Sequence, residues 1–140
     1  MSKKVETGAL LLRLVVGLVF FIHGLDKYQS GLGNIAGWFE SIGLPGFMAY
    51  IVGTIELFGG ILLILGVGTR FIAWLLTCIL VGAIVKVKLA VGFMGNGQMA
   101  GYEYDLVLLA VTVFLGLVGG GQITLAKLFG KGQNDTVVVK

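Results

Sequence analysis

The chain has 140 residues, of which 57% are hydrophobic and 12% are charged, and its mean hydropathy is +1.01. This composition is too apolar for an ordinary soluble domain and indicates a protein whose solvent is mostly lipid. The formal net charge of +3 is small, and no Lys/Arg cluster is interleaved with aromatic residues, which excludes a nucleic-acid-binding surface. The single cysteine, Cys78, excludes an internal disulfide or a CxxC redox pair.

Four apolar segments follow one another along the chain, and a membrane-spanning helix needs roughly 17 to 25 such residues. The segments are 9–25, 47–65, 71–91 and 104–121, and a polar tail follows at 127–140. The sequence therefore predicts a single domain, an all-α integral membrane protein with four transmembrane helices in an up-down bundle.

The first outer loop carries apolar residues at helical spacing, namely Ile35, Trp38, Phe39 and Ile42. This spacing predicts a short helix lying flat at the membrane interface, although the same residues are compatible with packing against the spans. Small residues recur within the spans, at Gly17, Gly24, Ala49-x-x-x-Gly53 and Gly116-x-x-x-Gly120. They predict close helix contacts, either within the bundle or in a homo-oligomer.

Basic residues are distributed unequally between the two sides of this four-span layout. One side holds Lys3, Lys4, Arg70, Lys127, Lys131 and Lys140, and the other holds Lys27, Lys86 and Lys88. The positive-inside rule then predicts that both termini are cytoplasmic.

Glu56 is the clearest polar residue at membrane depth. It lies about nine residues into the second span, roughly 13 Å along the helix axis, with apolar neighbours on both sides. A charge there costs roughly 2.5 to 3.5 kcal/mol on insertion scales. Glu56 must therefore be protonated, paired with a cation, or directed into a wet cavity.

Candidate partners for Glu56 lie in the outer half of the bundle. His23 and Lys27 share one helix face, and Glu103 opens the fourth span. Lys86 and Lys88 are about 200° apart on a helix, so only one of them points inward, and we take Lys86 as that one. We expect these groups to converge.

Structural interpretations stay open for each of these residues. Glu56, Lys86 and Glu103 are compatible with a buried ion-pair network that only sets helix register. His23 is compatible with a hydrogen-bonded core histidine, and Lys27 with an interfacial anchor.

The other polar residues in the spans have simpler interpretations. Arg13 is compatible with snorkelling or with pairing to Glu6, and Asp105 with starting the fourth helix. One histidine cannot ligate haem from both sides, and no Cys/His set suits zinc or an iron-sulfur cluster.

Five short motifs occur in a fixed order along the chain. They are Leu12-Arg13-Leu14-Val15-Val16-Gly17, Phe21-Ile22-His23-Gly24-Leu25-Asp26-Lys27, Gly43-Leu44-Pro45, Glu56-Leu57-Phe58-Gly59-Gly60 and Gly66-Val67-Gly68-Thr69-Arg70. With these motifs the chain resembles the DoxX family, and within it the CatD-type oxidoreductases, over about residues 6 to 130. The resemblance implies four transmembrane helices in a bacterial cell membrane. Some relatives are linked to thiosulfate or sulfide oxidation with quinone, or to resistance against catechols, quinones and thiol stress.

By position, the polar motif of the family maps onto Arg13, His23, Lys27, Glu56, Arg70 and Glu103. Many relatives follow the Gly-rich turn after the fourth span with a Ser-Leu-Asp segment. Here that turn is followed by Gln122-Ile123-Thr124-Leu125-Ala126, without the carboxylate. The resemblance therefore implies no role for that end of the fourth span.

The leading hypothesis is a membrane subunit of a redox or detoxification system that binds a quinone or a catechol-like compound in the outer half of the bundle. Glu56 or His23 would exchange a proton with the quinol oxygen, and Lys86 or Lys27 would stabilise the oxyanion. Electrons would come from a soluble or membrane redox partner or a bound cofactor. The expected catalytic residues are Glu56 and His23, and the expected ligand-binding residues are Lys27, Lys86, Glu103 and Arg13.

Two rival functions from other classes stay open. A small proton-coupled exporter is one, since four-helix multidrug transporters of similar length also carry an intramembrane glutamate, although theirs lies in the first span. A non-catalytic scaffold for membrane enzymes is the other. It predicts a co-purifying partner and tolerance of every polar substitution.

Overall fold

The computed structural model describes residues 2–98 and 100–119, and in these ranges the regular structure is helical. The helices are α1 (Lys3–Ser30), α2 (Leu32–Ser41), α3 (Phe47–Leu65), α4 (Thr69–Ala83), a π-helical turn (Ile84–Lys88), α5 (Leu89–Val91) and α6 (Tyr102–Val118). The all-helical class is thereby confirmed. The polar tail at 127–140, the last two residues of the expected fourth span and the segment 122–126 lie outside the described residues.

Three helices in the described part of the chain are long and apolar enough to cross a membrane. They are Lys3–Ser30, Phe47–Leu65 and Thr69–Val91, the last of which runs through α4, the π-helical turn and α5. The fourth long helix, α6, has 17 residues. A fourth crossing by α6 stays a prediction, as does the position of α2 at the membrane interface.

Helix ends are set by recognisable caps. The hydroxyl of Ser2 accepts a hydrogen bond from the backbone N–H of Val5 at 3.2 Å, which caps the start of α1. At the end of α3, Gly66 adopts a left-handed conformation with φ 81°, and the N–H groups of Gly66 and Val67 both donate to the Leu62 carbonyl. Glycine suits this position because it has no Cβ to clash, and the resulting tight turn leads directly into α4.

The most extensive helix contact is between α1 and α3, and glycines allow it. A Cβ at Gly60 would lie 2.5 Å from the Gly17 carbonyl oxygen, and a Cβ at Gly24 would collide with the backbone nitrogen of Leu57. Such contacts require residues without side chains. Gly17 and Gly24, which the sequence singled out, therefore serve a contact within the chain.

The second extensive contact joins α4 to α6. Gly116 lies beneath the indole of Trp74, where a Cβ would be 2.6 Å from the ring. Between the helix pairs lies an apolar core formed by Val16, Phe20, Leu63, Ile72, Leu76, Leu80 and Leu108. The two interhelical ion pairs lie toward the end of the bundle where α1 ends and α6 begins, whereas Arg13, Thr69 and Thr112 are buried elsewhere.

Candidate functional site

Glu56 is buried in the middle of α3 and is paired with a cation. Its carboxylate accepts a hydrogen bond from Lys27 Nζ at 2.6 Å, and the two side chains are 7% and 22% exposed. Of the three states open to a carboxylate at this depth, the structure shows pairing. The partner is Lys27, on the helix face that also carries His23.

The backbone geometry of α1 and α3 makes this ion pair possible. The close approach of Gly24 to Leu57 brings the last turns of α1 against the middle of α3. One turn away, Gly53 lies against the aliphatic part of Lys27, where a Cβ would be in ordinary contact at 3.8 Å from the lysine Cβ and Cδ. The same Cβ would be 3.0 Å from the side chain of Leu32, at the start of α2, so α2 begins beside the ion pair.

A second interhelical ion pair joins the third span to α6. Lys88 Nζ lies 3.5 Å from an Asp105 carboxylate oxygen, with the side chains 18% and 11% exposed. That oxygen makes no hydrogen bond, whereas Lys88 Nζ donates to the Ala100 carbonyl at 3.0 Å. The contact with Asp105 is thus a looser, purely ionic one.

The interpretation that Lys86 points inward is wrong, because Lys86 is exposed and Lys88 is the inward residue. The reason is the π-helical turn over Ile84–Lys88. In an unbroken α-helix the buried face of Leu76 and Leu80 would continue near position 87. A π-turn inserts one extra residue and moves that face to position 88. Nothing in the apolar pattern of the segment indicates this insertion.

Asp105 is the site residue that sequence reasoning missed. It lies in the first turn of α6, where a carboxylate suits the helix dipole, and it is also 8% exposed and opposite Lys88. A usable signal was present in the charge pattern. In each half of the chain a lysine near the end of one long helix precedes a carboxylate on the next, as Lys27 precedes Glu56.

His23 does not contact Glu56. Its imidazole is exposed and stacks on the ring of Tyr104, with centroids 6.3 Å apart and an interplanar angle of 22°. The interpretation as a core histidine is therefore wrong, because the side chain points out of the bundle between α1 and α6. Glu103 is exposed too, and it forms no ion pair within residues 2–98 and 100–119.

Arg13 lies apart from these groups. It is ten residues before His23 on α1, about 15 Å along the axis, and it is only 1% exposed. Arg70 is exposed, and its guanidinium donates to the Val118 carbonyl at 3.4 Å, which ties the start of α4 to the end of α6.

The expected convergence is thus partial. The structure brings Lys27 to Glu56, and separately Lys88 to Asp105, while His23 and Glu103 lie at the surface near Tyr104. Within the described ranges no group of three or more His, Cys, Asp or Glu side chains could hold a metal ion. What the arrangement offers chemically is a set of proton-exchanging groups at one end of an apolar bundle.

Comparison with known proteins places this architecture in a family. The DoxX family model matches residues 8–89, which include Lys27 and Glu56 and end before α6. "Putative oxidoreductase CatD" of Bacillus subtilis (strain 168) is 44% identical over 135 residues, covering 96% of each chain. "Uncharacterized membrane protein Rv3486" of Mycobacterium tuberculosis is 37% identical over 136 residues, covering 89% of this chain and 82% of the relative.

"Inner membrane protein YqjF" of Escherichia coli (strain K12) is 31% identical over 70 residues, about half of each chain. No solved structure matches the chain significantly. The family match covers more than half of the sequence, and the Bacillus and Mycobacterium relatives align over most of its length. On this evidence the chain belongs to the DoxX family of membrane proteins.

Proposed function

We propose that this chain is the membrane subunit of a redox or detoxification system and that it binds a quinone or a catechol-like compound in the outer half of its bundle. The observation that carries the proposal is the buried ion pair of Lys27 and Glu56, 2.6 Å long and surrounded by apolar helices. Intramembrane ionisable residues are costly, and they commonly mark proton or ligand pathways. The name of the Bacillus relative, "Putative oxidoreductase CatD", supports the same class.

The chemistry that suits these residues is proton exchange with a two-electron carrier. Reduction of a quinone to a quinol consumes two electrons and two protons. Glu56 exchanges one of these protons with a ligand oxygen, and the second is exchanged with water at the outer end of the bundle. Lys27 stabilises the negative charge that results, on the carboxylate or on a ligand oxygen. The electrons come from a soluble or membrane redox partner, so this chain acts as a subunit.

The proposal includes a four-span topology with both termini in the cytoplasm of a bacterial cell. The 17 residues of α6 extend about 25 Å, at the lower limit for crossing the hydrocarbon core. The asymmetry of Lys and Arg supports the orientation. In this arrangement both interhelical ion pairs lie in the outer half of the membrane.

The test is ligand identification followed by titration. Protein purified in mild detergent is extracted and its lipophilic ligands are identified by mass spectrometry, and a quinone is then titrated into wild type and Glu56→Gln. The control is Glu40→Gln, the same change at an exposed position on α2. We expect saturable binding that Glu56→Gln weakens at least tenfold and Glu40→Gln leaves unchanged. Absence of bound and of titratable quinone in the wild type would contradict the proposal.

A scaffold is the second candidate, and one observation favours it. Both interhelical ion pairs join helices of the same chain, which is what a purely structural role requires. A scaffold would tolerate substitution of every polar residue in assays of the partner enzyme and would retain a co-purifying protein. Uptake driven by a pH gradient in proteoliposomes would instead indicate an exporter.

A further inference from the structure

An open groove lies on the outer face of α6 and the loop before it. It has a volume of about 460 Å³ and is lined by Phe93, Glu103, Tyr104, Leu106 and Val107. Phe93 is held by an edge-to-face contact with Tyr102, with ring centroids 5.3 Å apart.

The groove opens away from the bundle. Its apolar walls are well exposed, with Leu106 at 40% and Val107 at 64%. In the proposed topology this face meets the lipid, so a lipophilic molecule reaches it sideways from the bilayer. Glu56 is different, because its side chain is 7% exposed and is covered by Lys27.

The polar groups at the groove suit an aromatic ring that carries oxygens. The Tyr104 hydroxyl donates to a carbonyl oxygen, and the Glu103 carboxylate accepts from a phenolic hydroxyl. The rings of Phe93 and Tyr104 offer aromatic faces and edges to a planar ligand. His23 stacks on Tyr104 and adds a second proton-exchanging group beside it.

We propose that this groove binds the ring of a lipophilic quinol, quinone or catechol, while the apolar tail of the ligand stays in the lipid. The inference rests on the proposed function and names where its ligand binds. Tyr104 and Glu103 contact the ring oxygens.

The experiment is to fill the groove with a large side chain. Val107→Trp is compared with Leu117→Trp, which lies on the same helix, is equally exposed in the wild type at 65%, and is ten residues from the groove. Binding of a short-tailed benzoquinone to each purified protein is measured by equilibrium titration. We expect Val107→Trp to weaken binding at least tenfold and Leu117→Trp to change it less than twofold. Tyr104→Phe, which keeps the ring, is expected to weaken it about threefold to tenfold.

The outcomes distinguish failure of the groove proposal from failure of the proposed function. If the wild type binds no quinone, both proposals fail. If the wild type binds quinone and neither Val107→Trp nor Tyr104→Phe weakens that binding, the groove is not the binding site and the proposed function stands. Loss of binding in Glu56→Gln without any loss in Val107→Trp would place the ligand between α1 and α3 and would likewise overturn the groove.

Discussion

The α1–α3 contact and the α4–α6 contact both hold two long helices together, but they do so through different kinds of packing. Between α1 and α3 the backbones themselves touch, at Gly17 with Gly60 and at Gly24 with Leu57. Between α4 and α6 the contact runs through side chains, with Trp74 over Gly116. The α1–α3 contact also contains the short ion pair of Lys27 and Glu56. The longer pair of Lys88 and Asp105 lies beside the α4–α6 contact, on the π-helical turn that follows α4.

The difference shows how helices associate where lipid removes the hydrophobic driving force. Close packing and interhelical polar contacts must then hold the helices together. The α1–α3 contact concentrates both at a few positions, beside the 2.6 Å bond of Lys27 and Glu56. The α4–α6 contact distributes weaker interactions, including the hydrogen bond of Thr77 to Thr112 at 2.9 Å. Single substitutions should therefore damage the first contact more than the second.

The largest effect is expected from Gly24→Leu. The new side chain would occupy the space of the Leu57 backbone, so α1 and α3 must separate, and we expect a loss of about 3 kcal/mol or more in the free energy of unfolding. Titration with a denaturing detergent from mixed micelles measures this loss. The matched control is Gly82→Leu on α4, where an added Cβ has nothing within 4 Å. Equal losses in the two variants would show that close backbone approach does not hold the α1–α3 contact.

An intermediate effect is expected when the two ion pairs are compared by double-mutant cycles. One cycle uses Lys27→Met and Glu56→Gln, and the other uses Lys88→Met and Asp105→Asn. We expect a coupling energy of about 2 kcal/mol for the first pair and below about 1 kcal/mol for the second. The reason is that Lys27 makes a short bond to a buried carboxylate, whereas Lys88 hydrogen-bonds the Ala100 carbonyl instead.

These coupling energies are read from unfolding free energies in the same mixed micelles. A larger coupling energy for Lys88 and Asp105 than for Lys27 and Glu56 would contradict this expectation. It would show that the association of α6 with the third span depends more on charge than the α1–α3 contact does.

The smallest effect is expected from Thr112→Val, which is nearly isosteric. Thr112 is fully buried, accepts from Thr77 and donates to the Leu109 carbonyl at 3.1 Å. Hydrogen bonds between membrane helices average about 0.6 kcal/mol, so we expect a loss of about that size in unfolding free energy. A loss above about 2 kcal/mol would mean that this one bond matters as much as the buried ion pair. Thr54→Val, at an exposed hydrogen bond with Tyr28, serves as the comparison.

Some features of the site followed from sequence because they depend on local chemistry. A carboxylate in the middle of an apolar span needs a partner, and Lys27 was among the candidates on the helix before it. The glycines at positions 17 and 24 indicated close contacts for the same kind of reason. Both predictions depend on the size and charge of individual side chains and their near neighbours, which can be read directly from the sequence.

The sequence by itself determined that lipid surrounds the chain, that the fold is helical, and that a buried Glu56 has three states open to it, of which pairing with a cation is one. Only the tertiary structure decided which lysine meets which acid, and that His23 faces outward to stack on Tyr104. These outcomes depend on the rotation of each helix about its axis. The π-helical turn rotates the end of the third span so that Lys88 faces inward, and Asp105 becomes a partner only because α6 lies beside it. Helix rotation is set by packing against neighbours, which the pattern along a single helix does not contain.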